Sequence, residues 1–192
     1  MSGGLVTATA VLSIAAYLVF ATRVRDRARA GGRATLARGG PLSQALPYVV
    51  WVPYVLISAR PGPELAFPEL LRWIGLALVV AGIAFSMWAA ATLGRHFDLE
   101  VEIHEGHAVV ERGPFAIVRH PVYLGLAIHF IGACLATGNV LLLAGTVLVT
   151  FPAIYVRAAA EERLLRERLG SAYDAYARRV PMLIPMRVGK NS

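Results

Sequence analysis

Charge is scarce in this chain: Asp, Glu, Lys and Arg make up 16% of its 192 residues against 57% hydrophobic, and the mean hydropathy is +0.59. That balance excludes an ordinary soluble domain and points to a chain built for the bilayer. Cysteine is scarcer still. Cys134 stands alone inside an apolar run, which excludes an internal disulfide and a cysteine-based zinc site and leaves helix packing as its expected role. The sequence contains no nucleophile elbow, Walker loop or GxGxxG fingerprint. Several membrane spans in so short a chain also exclude a soluble nucleotide-binding fold. The net charge of +7 and the pI near 10.2 do not indicate nucleic acid, because the arginines gather beside apolar runs rather than in a basic domain with interleaved aromatics. Membrane topology and anionic lipid account for them.

What is present is a series of apolar runs. Leu5 to Thr22 is uncharged over 18 residues and is followed by Arg23, Arg25, Arg27, Arg29, Arg33 and Arg38. A cleaved signal peptide would carry its positive charge before the apolar run, so this is read as a first transmembrane helix with the N-terminus outside. A second, weaker span covers Ala45 to Ser58 and contains Pro47 and Pro53, which bend it. The next loop, "PGPELAFPE", has two acids and no Lys or Arg, as suits the outer side. A third span, from Leu70 or Leu71 to about Leu93, returns the chain to the cytoplasm.

From Pro121 to Val156 there are 36 residues without a formal charge, too many for one crossing. A Gly-Asn break at Gly138 and Asn139 makes this run a tight helical hairpin. Its second arm continues into "RAAAEERLLRERLG", rich in helix formers, and ends at Gly170. The expected fold class is an all-α membrane protein of about five transmembrane helices, the last two a hairpin, with a small cytoplasmic loop and a C-terminal helix. A single domain spans 1–192, with N-terminal membrane helices over 1–92 and a second half over 93–192. Seven Arg and Lys190 from Arg157 onward join the arginines of the first loop on the cytoplasmic side.

The residues able to do chemistry crowd the mouth of the hairpin. In "GPFAIVRHPVYLG", Pro121 suits the first helical position, where a missing N–H costs nothing. The early N–H groups, with the helix dipole behind them and Arg119 and His120 beside them, favour a carboxylate or phosphate. A plainer reading stands next to this one: Arg119 meets lipid phosphates, His120 caps the helix and Tyr123 anchors at the interface. The second constellation lies on the other arm. Arg157 and Glu161, four apart, share one helical face where the arm leaves the membrane, and a hairpin brings that face close to Arg119 to Tyr123. Glu162 with Arg166 is read as an exposed or supporting ion pair. His96, His104 and His107 match no closed zinc site, and the acids among them alternate with apolar residues as in a short strand or turn. His129, inside the fourth span, is expected to be hydrogen-bonded within the bundle.

"HAVVERGPFAIVRHPVYLG" followed by "EERLLRERLGSAYDAYARRVPMLIP" resembles the C-terminal half of the isoprenylcysteine carboxyl methyltransferases and related phospholipid methyltransferases. Three ordered elements carry the likeness: Arg-His-Pro-x-Tyr, Glu-Glu-x-x-Leu, and a closing Tyr-x-x-Tyr-x-x-x-Val-Pro. The resemblance covers about Leu93 to Pro185 and implies S-adenosylmethionine as methyl donor, with S-adenosylhomocysteine as product. It implies that His107, Ala108, Val109 and Val110 line the cofactor pocket and that His120, Pro121, Val122 and Tyr123 surround it. Phe115 stands where many relatives have tyrosine. Glu161 would bind the polar end of the cofactor, and Arg157 takes the position associated with the acceptor group, a lipophilic small molecule or lipid. A carboxylate acceptor requires no general base, whereas an amine acceptor makes Glu161 or a bound water a candidate base. Two alternatives remain at this point: an NADPH-dependent membrane sterol or lipid reductase, and a non-enzymatic membrane accessory protein.

Overall fold

The computed structural model describes residues 62–94 and 109–185 throughout, the backbone of two short strands, and a few positions nearer the N-terminus. Most of the first two expected spans and of the arginine loop lies outside the described residues, as do His96, His107 and Ala108. Within those two spans Val11, Ala15, Leu18 and Thr22, then Val50, Tyr54 and Ile57, are helical.

Helix α1, Glu69–Leu93, is 25 residues long and matches the expected third span. It begins after Pro68 and stops at Gly94, whose φ of 53° suits a residue without a β-carbon. Helix α2, Pro121–Thr137, starts on its proline as the sequence predicts, and ends where Gly138 turns left-handed and its N–H bonds the Cys134 carbonyl. Its 17 residues rise about 26 Å, slightly less than the ~30 Å hydrocarbon core. Asn139 then accepts a hydrogen bond from the Leu142 N–H and caps helix α3, Val140–Leu169. The Gly-Asn break is therefore the tip of the hairpin. Within α3 the turn Thr146–Thr150 is a wide π turn, just upstream of Pro152, whose ring and missing N–H disrupt regular helical bonding. The helix ends at Gly170 (φ 54°), and a short helix α4, Ser171–Ala177, follows.

Among the described residues, α1 and α3 are long and apolar enough to cross a membrane, and α2 is a shorter apolar helix between them. Leu70, Trp73, Val80 and Trp88 of α1 and Val147, Leu148 and Tyr155 of α3 are exposed. Such apolar surface suits lipid rather than water.

The antiparallel pair α1 and α2 meets at backbone distance. A β-carbon added at Gly82 would stand 2.5 Å from both the Gly125 oxygen and the His129 nitrogen; one at Gly132 would stand 2.6 Å from the Gly75 oxygen and the Val79 nitrogen. Small residues replace the hydrophobic effect here, because lipid tails are as apolar as the side chains they would exclude. A core of Tyr54, Val79, Ile83, Phe130, Ala133, Cys134 and Leu142 surrounds this seam. His129 is fully buried and its Nε2 lies 3.1 Å from the Tyr54 hydroxyl, the bundle hydrogen bond expected of it. Cys134 packs against α3, with its sulfur 3.4 Å from Thr146 Oγ1.

The helical architecture carries one small addition. Strands β1, Thr35–Arg38, and β2, Glu102–His104, pair antiparallel with an irregularity between Thr35 and Ala37. The alternation around Glu102 is thus a strand whose partner comes from the loop after the first expected span. At the other end of the bundle, the loop before α1 bonds the hairpin tip: Leu65 N–H to the Gly138 carbonyl and Val140 N–H to the Pro63 carbonyl, 2.8 and 2.9 Å.

Candidate active site

The two arms of the hairpin run in register from tip to mouth. Cys134 faces Thr146, Leu126 packs on Ile154, and Tyr123 meets Arg157. Beyond them His120 faces Glu161 and Arg119 faces Glu162. The convergence that the sequence predicts for Arg157 and Glu161 with the Arg119 to Tyr123 stretch is present in the geometry.

Tyr123 is the joint. Its hydroxyl accepts a 2.9 Å hydrogen bond from Arg157 Nε and donates a 3.0 Å bond to Glu161 Oε2. The phenol thus links a buried guanidinium to a carboxylate that is 35% exposed. The His120 ring stacks on the Tyr123 ring, centroids 5.6 Å apart and planes 18° from parallel. His120 Nδ1 lies 3.7 Å from Glu161 Oε2, and Nε2 lies 3.4 Å from Glu162 Oε1 but out of hydrogen-bond alignment. His120 does occupy the capping position of α2, but its side chain makes no cap bond there.

Two expectations change. Arg119 is turned inward, with Nε and Nη2 both 2.6 Å from Glu162 Oε1 and Nη1 donating to the carbonyls of Ala177 and Val180, so its guanidinium serves the fold rather than an outside anion. Glu162 keeps the predicted i,i+4 contact with Arg166, 3.0 Å, but its side chain is only 6% exposed. The carboxylate therefore bridges two arginines and is not a solvated pair. Burial alone would push its carboxyl up, but the His120 ring and the Arg119 guanidinium outweigh this and hold it below the ordinary carboxylate range.

Of the remaining predicted residues, Val109 and Val110 are half-buried in the stretch leading to a short 3₁₀ turn, Gly113–Ala116, which buries Phe115. Pro121 is buried at the start of α2, and the Val122 carbonyl accepts a 3.0 Å bond from Ser86 Oγ, tying the mouth to α1. His107 and Ala108 lie outside the described residues. Sequence reasoning missed Ser86, and it missed the C-terminal segment except as part of the resemblance. Tyr176 donates a 2.7 Å bond to the Phe115 carbonyl, and Arg119 and His120 N–H groups bond the Pro181 and Met182 carbonyls at 2.9 and 3.1 Å. Among the described residues the Tyr173 hydroxyl and His120 Nε2 are buried without a hydrogen-bond partner, Nε2 facing Glu162 Oε1 at 3.4 Å.

Comparison with known proteins gives this arrangement a family. The model of the isoprenylcysteine carboxyl methyltransferase (ICMT) family matches residues 73–167. A probable protein-S-isoprenylcysteine O-methyltransferase of Oryza sativa subsp. indica is 31% identical over 128 residues, covering 63% of this chain and 67% of the rice protein. A methanethiol S-methyltransferase of Bradyrhizobium diazoefficiens is 33% identical over 127 residues, 58% of this chain and 43% of that protein. The solved structure of the eukaryotic intramembrane Ras methyltransferase, isoprenylcysteine carboxyl methyltransferase, superposes with a TM-score of 0.58 at 24% identity. That match covers 79% of this chain and 55% of the solved one, and shows the shared fold. The chain belongs to the isoprenylcysteine carboxyl methyltransferase family and is a membrane methyltransferase, which sets aside the reductase and accessory-protein readings.

Proposed function

We propose that this protein transfers a methyl group from S-adenosylmethionine to the carboxylate of a prenylcysteine-like or other lipophilic acceptor at the cytoplasmic face of the membrane. The observation that carries the reading is the Tyr123 hydroxyl held between Arg157 and Glu161. One phenol ties a cation suited to an acceptor carboxylate to an anion suited to the polar end of the donor. The donor fits the residues present: Glu161 offers a partly exposed carboxylate, and the Tyr173 hydroxyl is a buried polar atom without a hydrogen-bond partner among the described residues. His107, Ala108, Val109, Val110, Phe115, Pro121 and Val122 complete the proposed lining.

S-adenosylmethionine supplies a methyl already activated by its sulfonium. The residues then have to align the acceptor in line with it and exclude water. Arg157 orients the acceptor oxygens through charge-assisted hydrogen bonds, its planar fork matching a carboxylate. With a carboxylate acceptor the sulfonium would supply the activated methyl and no proton would have to move, so Arg157 would only have to hold the acceptor oxygens in line. The likeness to a methanethiol S-methyltransferase favours a second reading, a thiol acceptor, which must lose its proton before attack. The arginine counts support a topology with the N-terminus outside and the site and C-terminus in the cytoplasm. The whole of 1–192 acts as one domain, with membrane lipids around it and no nucleic acid partner.

Labelled-methyl transfer to prenylcysteine analogues, lipid extracts and small thiols tests the reading, because a methyl ester releases methanol in base and a thioether does not. Arg157→Ala abolishes transfer while leaving S-adenosylhomocysteine binding intact, and Glu161→Ala weakens that binding. Full turnover by Arg157→Ala rejects the acceptor assignment.

A further inference from the structure

The paired residues at the hairpin mouth divide their work. His120 and Glu161 face Tyr123, while their chain neighbours Arg119 and Glu162 face away from it into protein. A buried ion pair is weak support for stability, since desolvation cancels most of its attraction, but it fixes register firmly, because a lone buried charge cannot be tolerated. Here the pair is saturated on both sides. Arg166 takes the second oxygen of Glu162, and Arg119 Nη1 takes two carbonyls of the segment 177–182. That segment is bonded further through the N–H groups of Arg119 and His120 and through Tyr176 to Phe115, and Leu183 just beyond it packs on the Leu126 and Ile154 seam beside Tyr123. The C-terminal strap thus crosses the mouth of the hairpin at the level of the proposed donor site.

We propose that Arg119 and Glu162 are positioning residues: their ion pair holds the strap 177–183 across the mouth and keeps His120 opposite Glu161, and methyl-donor affinity depends on it. This rests on the proposed donor reading. Neither residue touches the reacting groups, and Arg157, at the acceptor end, is bonded to the Tyr123 hydroxyl.

Full-length protein in detergent provides the test, with S-adenosylhomocysteine as the probe. Trypsin reports on the strap, because Arg178 and Arg179 are exposed within it. Glu162→Gln raises the Kd for S-adenosylhomocysteine and the donor KM by about tenfold or more, leaves the acceptor KM within about twofold, and speeds cleavage at those arginines. Arg119→Lys keeps a charge but not the fork, and recovers part of the affinity lost in Arg119→Gln. A Glu162→Gln protein that binds the probe as tightly as wild type, or that loses donor and acceptor KM equally, overturns the inference. If that variant does not fold, Tyr176→Phe decides, since it frees the strap from Phe115 without touching a charge: weaker probe binding supports the proposal and unchanged binding rejects it. Wild-type protein that binds no S-adenosylhomocysteine rejects the donor reading itself, a separate outcome.

Discussion

Replacing Tyr123 with phenylalanine deletes one oxygen and keeps the ring that stacks on His120. Two hydrogen bonds vanish, one from Arg157 Nε and one to Glu161. A hydrogen bond to a charged partner contributes about 1.5–3 kcal/mol, but only where water cannot take its place. Glu161 is 35% exposed and rehydrates. Arg157 is 7% exposed and does not, so most of the cost falls on the guanidinium proposed to orient the acceptor. At ~1.4 kcal/mol per tenfold, the variant loses about 10- to 150-fold in kcat/KM for methyl transfer. Probe affinity changes much less: an exposed contact of up to ~1 kcal/mol gives about fivefold at most in the Kd for S-adenosylhomocysteine. Initial rates of labelled-methyl transfer at varied acceptor concentration, beside calorimetric titration with S-adenosylhomocysteine, separate the two effects. A Tyr123→Phe enzyme within about twofold of wild-type kcat/KM would refute the coupling, since Arg157 would then be held without the phenol.

Acid should attack the mouth of the hairpin first. The folded Glu162 carboxyl lies below its ordinary value of 4.5, so its pairing stabilises the fold in full above that pH and is lost as pH falls through the depressed folded value. Melting temperatures in detergent should fall for the wild type through that window, and the gap between wild type and Glu162→Gln should close as the carboxylate is neutralised. At the opposite end, Asn139→Ala removes the side-chain cap on α3 and should cost about 1 kcal/mol of stability. Denaturation in detergent measures it, and methyl transfer well below the melting point should be unchanged, because the hairpin tip is remote from Tyr123.

Local signals made much of this molecule legible. The ends of α1, the start of α2 at Pro121, the turn at Gly138 and Asn139 and the stop at Gly170 all follow from hydropathy and capping chemistry that a short window contains. The meeting of Arg157 and Glu161 with Tyr123 followed from hairpin closure, a single long-range assumption. Glu162 was not legible, since Glu161 and Glu162 are the same residue side by side on a helix. Only Arg119 on the other arm decides which carboxylate is buried. The strand at Glu102–His104 showed its alternation but not its partner, and Pro152 gave no hint that the preceding turn would widen. The glycines of α1 and α2 belong with these: a spacing of seven is visible in each helix, but the contact exists only once the two are laid together.

That contact also governs traffic. Where Gly75 and Gly82 meet Gly125 and Gly132, the backbones leave no crevice for a hydrocarbon chain. One flank of the bundle is therefore sealed, backbone against backbone. The seam between α2 and α3, joined through Leu126, Ile154, Cys134 and Thr146, is closed by side chains that can change rotamer. On the proposed function, a lipophilic acceptor bound for Arg157 would pass through that seam.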